Sequence, residues 1–158
     1  MTRSRSIIRR GNNRVQTANP QTQPKLTPQE ALIYAMVTAA AADRKIAQSE
    51  LARMRSMVSE LPAFRDLDDP WFGREAQACG KVLARPGGVE RVVGLIADAL
   101  TGELRETAFV LAADVTESDL VMNDAEQNFL TLLADGLSLD DLVRAALQRS
   151  ARMRHKAI

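Results

Sequence analysis

The chain has little of what most enzymes and secreted domains are built on. It holds one cysteine, Cys79, so no internal disulfide can form, which fits a reducing compartment. It holds one histidine, His155, close to the C-terminus. Without further His or Cys there is no thiolate or imidazole metal cluster, and no Ser–His–Asp set or phosphate-binding glycine loop is visible. Aromatics are sparse: one Trp, one Tyr and four Phe. No stretch reaches the length of about 18 consecutive apolar residues that a membrane-spanning helix needs. No segment alternates polar and apolar as a half-buried strand does.

What remains is 46% hydrophobic and rich in alanine, which favours helices packed through small and aliphatic side chains. At 158 residues the chain is long enough for one domain with a real core. The net charge of +1 conceals an asymmetry. Residues 1–26 carry six bases and no acid, and residues 142–158 carry five bases and no acid. The segment between them holds all 20 acids. Such basic ends can fold back on an acidic body or bind phosphate groups.

Residues 1–26 read as a disordered basic tail, with Arg3, Arg5, Arg9, Arg10 and Arg14 as candidate phosphate or membrane contacts. No aromatics are interleaved for base stacking, which argues against nucleic acid. An Arg- and Ser-rich, acid-free start also resembles an organellar transit peptide. An all-helical domain is expected over 27–158. Thr27-Pro28-Gln29-Glu30 is a capping box with proline at the first helical position. The first helix runs to about Ala42, with Leu32, Ile33, Met36 and Val37 inward. The second spans about Gln48–Glu60, carrying Leu51, Met54, Met57 and Val58, and a helical turn covers Ala63–Leu67. The third starts at Asp69-Pro70 and ends at Pro86-Gly87-Gly88. The fourth spans about Val89–Leu100. The fifth spans Glu103 to about Glu117, with Leu104, Ala108, Phe109, Leu111 and Val115 inward. The sixth runs from behind Asn123 to Gly136, and the seventh follows a cap in Ser138-Leu139-Asp140-Asp141. The expected fold is therefore all-α, with about seven helices.

Two of these units match. Asp43 and Glu50 stand seven apart, as do Asp119 and Glu126, and the pairs are separated by 76 residues. At the same separation Glu30 matches Glu106, Ile46 matches Met122, Met54 matches Leu130 and Leu61 matches Leu137. Carboxylates and apolar positions repeat together, which indicates a duplicated helix–loop–helix with an acidic joint in each copy. Glu50 and Glu126 fall at the third helical position, where a carboxylate can reach back to the cap residue's N–H. Asp43 and Asp119 sit at helix C-termini, where a negative charge opposes the helix dipole and needs a local counterpart. Asp114, Glu117 and Asp124 crowd the second joint. Together these oxygens are candidate ligands for Ca²⁺ or Mg²⁺, although the spacing is not that of an EF-hand. The four matched acids are expected on exposed turns.

The string Thr-Pro-Gln-Glu-Ala-Leu-Ile-Tyr-Ala-Met-Val-Thr-Ala-Ala-Ala-Ala-Asp-Arg-Lys-Ile-Ala-Gln-Ser-Glu-Leu, residues 27–51, resembles the TerB family of tellurite-resistance proteins. So does the second copy, Ala112 to Leu130. The family's mark is an alanine-rich helix ending in Asp, a short loop, then a Glu opening the next helix, occurring twice. The resemblance covers about 27–156 and extends to the domain preceding the J-domain in DjlA-type co-chaperones. It implies a non-enzymatic, all-helical module in tellurite, metal or envelope stress. It further implies divalent-cation binding at Asp43, Glu50, Asp119 and Glu126, and a protein partner such as a TerC-type membrane protein. A cytoplasmic location, peripheral to the inner membrane, would follow. The family often has Gly after the Asp where this chain has Arg44 and Leu120, and Ala47 replaces a capping residue, so the cation expectation falls more on the second joint. Two other readings stand beside it: a co-chaperone-like interaction domain without metal, and a phosphate binder acting through the basic ends.

Overall fold

The computed structural model describes residues 25–42, 45–118 and 123–158. Among them are seven α-helices and no strand: α1 Pro28–Ala41, α2 Gln48–Glu60, α3 Asp69–Leu83, α4 Gly88–Ala99, α5 Glu103–Glu117, α6 Asp124–Gly136 and α7 Asp141–Arg154. A 3-10 turn at Pro62–Phe64 follows α2.

The first helix is the axis of the domain. Thr27 opens it through a complete capping box: Glu30 N–H donates to Thr27 Oγ1 at 3.2 Å, and Thr27 N–H donates to Glu30 Oε2 at 3.1 Å. No charged residue occurs between Glu30 and the end of the helix, and every residue from Ala31 to Ala40 is buried. The expected inward stripe of Leu32, Ile33, Met36 and Val37 is therefore only part of the buried surface. A helix that is apolar all round is covered all round, and α3, α4, α5 and α6 all pack against α1. Its alanines let those neighbours approach closely. Truncating a fully buried side chain here, such as Ile33→Ala, would remove about 2–5 kcal/mol of stability.

The outer helices obey local rules. Pro62 holds Leu61 extended, at φ −91° and ψ 133°, and so ends α2. α3 starts at Asp69 as expected, and Asp68 caps it: its carboxylate accepts Trp71 N–H at 2.9 Å, and Pro70 falls in the first turn. Gly87, at φ +70°, turns the chain into α4. Leu104, expected inward, is exposed.

α6 ends at Gly136 as expected, but the residue that turns the chain there is not the glycine. Ser138 takes the left-handed conformation at φ +55°. Ser138 N–H donates to Asp135 O at 3.1 Å and Leu139 N–H to Ala134 O at 3.0 Å, the paired bonds of a Schellman motif. Gly136 serves packing instead: a Cβ there would collide with Val93 Cγ1 of α4. Arg105 of α5 fastens the same corner. Its Nε donates to Leu100 O at 2.8 Å, Nη1 to Leu137 O at 3.0 Å and Nη2 to Ala97 O at 3.0 Å. One guanidinium thus satisfies carbonyls at the C-termini of both α4 and α6, groups that a helix cannot bond internally.

Candidate functional site

The acidic joints are built into the helix starts. At the second, Glu126 N–H donates to Asn123 Oδ1 at 2.9 Å, and Asn123 N–H donates to Glu126 Oε2 at 3.1 Å. At the first, Ala47 N–H donates to Glu50 Oε2 at 3.0 Å. Alanine offers no side-chain acceptor, so this joint keeps only the glutamate half of the box. Glu126 is 1% exposed and Glu50 9%. The expectation that these carboxylates lie on exposed turns is corrected: both are turned inward. The reason is geometric, since a side chain bonded to its own cap amide lies back along the helix start instead of reaching into water. Asp43 and Asp119, with Arg44 and Leu120, lie outside the described residues, as do Arg3, Arg5, Arg9, Arg10 and Arg14.

The other acids of the second joint divide. Asp114 and Glu117 project from α5 toward α7 and are met by its bases. Arg154 donates to Asp114 Oδ1 through Nε, at 3.2 Å, and through Nη2, and His155 Nε2 stands 3.4 Å from the same oxygen. Arg152 Nε lies 3.6 Å from Glu117 Oε1, an ion pair too long to be a hydrogen bond. Asp124, the first residue of α6, is exposed. Helix-dipole reasoning accounts for bases at the end of α7 but not for these cross-helix pairs, which depend on α7 lying back along α5. Among the described residues no three His, Cys, Asp or Glu side chains are grouped so as to hold a metal ion.

Cys79 belongs to the core. Its thiol lies 3.6 Å from Thr38 Oγ1 and points toward Tyr34 O at 3.9 Å. Burial pushes the thiol pKa up to about 12, with nearby Glu75 acting in the same direction, while the Thr38 contact opposes the rise. Such a thiol is a poor nucleophile at neutral pH.

The feature that sequence reasoning missed is an apolar groove of about 560 Å³ between α1, α2 and α3. Val37 and Ala41 of α1 and Leu51 of α2 line it, with Ile46 just before α2. Phe72, Gly73, Ala76, Gly80, Leu83 and Ala84 supply the α3 side. Among the described residues, Lys45 and Arg55 are the cations of its lining, and no acid lines it. The Arg55 guanidinium carbon stands 5.4 Å from the centroid of the Phe72 ring, a cation–π distance that holds the base against the groove. The signal that could have found this wall is the run Gly73, Ala76, Gly80, Ala84, small residues at helical spacing on one face of α3.

These features define a class: an all-α domain made of a doubled helix–loop–helix, each joint closed by a glutamate. The sequence matches the family described as "Protein of unknown function (DUF533)" over residues 8–151, and the chain belongs to that family, which is TerB-like. No curated protein and no solved structure matches the chain. None of the described helices is long and apolar enough to cross a membrane.

Proposed function

We propose that this domain is a non-enzymatic binding module that receives an apolar part of its partner in the groove between α1, α2 and α3. The observation that carries the reading is the groove itself. Its size falls in the range of about 300–1,000 Å³ usual for binding sites, and its lining is apolar with a few charged groups, as such sites are. The stress-response setting, whether tellurite, another metal or the cell envelope, comes from the resemblance to TerB proteins, and a protein partner fits the same resemblance.

A divalent cation at the acidic joints has less support. Glu50 and Glu126 already accept cap N–H groups, and Asp114 and Glu117 face arginines. A cation would have to displace these partners, although Glu117 Oε1 is buried without a hydrogen bond. The interaction reading without metal is therefore preferred. Its test is the uncharged apolar dye Nile red, titrated into the native protein and into Ala76→Glu. Saturable fluorescence enhancement with the first, lost with the second while the far-UV circular dichroism is unchanged, supports the groove as a binding face. Equal enhancement with both removes it.

A further inference from the structure

We infer that the occupant of the groove is an amphipathic helix of a partner protein whose flank carries a row of carboxylates. The inference rests on the groove being the binding face, and adds the chemistry of what enters it.

Shape argues for a helix. The α3 wall from Gly73 to Ala84 extends about 16 Å at 1.5 Å per residue, the length of three helical turns. The groove is only partly enclosed, so its occupant keeps part of its surface in water. An amphipathic helix tolerates that arrangement, whereas an acyl chain would leave methylenes exposed. Gly73 and Gly80 contribute no side chain to the wall, and among the described residues nothing beyond the helix's own backbone and the adjacent residues lies within 4 Å of a Cβ built at either position. The domain's own packing therefore does not require glycine there, and the space in front of both is open to a neighbouring helix.

Charge argues for an acidic flank. Lys45 precedes α2 and Arg55 lies on its third turn, so the two bases are spread along one wall, with about 10 Å of helix between Gln48 and Arg55 alone. A single headgroup would call for clustered cations; spaced ones match carboxylates repeated at helical intervals. Among the described residues neither base has a carboxylate in ion-pair distance, and Arg55 is set against Phe72 rather than paired.

The test uses the full chain and a panel of fluorescein-labelled 14-residue peptides with leucine and alanine on one face and glutamates along one flank. A control panel carries lysines in place of the glutamates. Binding is read by anisotropy at low and moderate salt. The glutamate peptides are expected to bind, to bind more weakly as salt rises, and to outbind the lysine peptides by roughly tenfold or more. Lys45→Glu combined with Arg55→Glu reverses that preference. Gly80→Leu fills the groove and abolishes binding of both panels, while its thermal midpoint stays at or above that of the parent, since leucine is the better helix former. Any of these results overturns the inference: no glutamate peptide binds; both panels bind equally; charge reversal leaves the preference unchanged; or Gly80→Leu binds like the parent. Saturable laurate binding without peptide binding also overturns it and assigns the groove to an acyl chain. Nile red binding with no peptide binding defeats this inference alone, and loss of Nile red binding to the groove defeats the reading beneath it.

Discussion

Glu50 and Glu126, 76 residues apart, make the same bond: each accepts the N–H of the residue three before it, at 3.0 Å from Ala47 and 3.1 Å from Asn123. The duplication seen in the sequence is thus carried down to single hydrogen bonds. The copies differ in the reciprocal half, which Asn123 supplies and Ala47 cannot.

That difference sets the first expectation. Glu126→Ala removes a buried carboxylate and leaves the Asn123 N–H without this acceptor, and should lower unfolding free energy by about 1–3 kcal/mol. Ala47→Asn should restore the missing half of the first box and stabilise by roughly 0.5–1 kcal/mol. Urea denaturation of both variants measures these effects. Repeating the melts in EDTA and in millimolar Ca²⁺ should give the same differences. A Ca²⁺-dependent shift that Glu126→Ala abolishes would restore the cation reading.

Arg105 should be among the least replaceable polar residues. Its three bonds go to backbone carbonyls at two helix ends. Arg105→Lys keeps the charge but cannot present the planar fork, so it should destabilise nearly as much as Arg105→Ala, by about 2–3 kcal/mol. A lysine variant as stable as the parent would show that charge near the helix ends matters more than geometry.

Gly136 and Ser138, two positions apart, should respond in opposite directions. Gly136→Ala drives a methyl into Val93 and should destabilise by about 1–3 kcal/mol. Ser138→Gly relieves a left-handed residue and should stabilise, by up to about 1 kcal/mol. Thermal or urea unfolding of the two single variants decides the signs.

Alkaline pH should weaken the fold through a buried pair. Cys79 is raised from 9.0 to about 12, chiefly by burial, and Tyr34 from 10.0 to about 12, chiefly by burial and then by Cys79. Both folded-state values lie above the unfolded ones, so the neutral groups' contribution is fully present below about pH 9 and is lost as pH rises toward 12. Stability measured between pH 8 and 11 should fall, and Cys79→Ala should fall less steeply. At pH 8, iodoacetamide should label Cys79 far more slowly in the native protein than in guanidinium chloride. Comparable labelling rates would place the thiol outside the core.

Much of the fold was legible because it depends on local chemistry. Thr27 and Glu30 announce the first helix, Pro62 the end of the second, Asn123 and Glu126 the start of the sixth. These signals act within three or four residues, so their spacing in the chain is their spacing in space. The candidate site was legible only in part. The glutamates' capping role could be read from position, but not their burial, because that depends on what the folded chain places around each side chain. Leu104 looked like a core residue by periodicity, which shows which residues share a face and not what packs against each of them.

Composition and pattern by themselves determined the helical class, the element order and the duplicated joints, because helix propensity, capping and periodicity are short-range. Tertiary structure decided the rest. It made α1 an axis buried on every side, set Arg152 and Arg154 against the acids of α5, and opened a groove beside Gly73 and Gly80. Those outcomes depend on contacts between residues far apart in the chain, such as the 40 positions between Asp114 and Arg154. No local preference encodes the angle at which two helices meet.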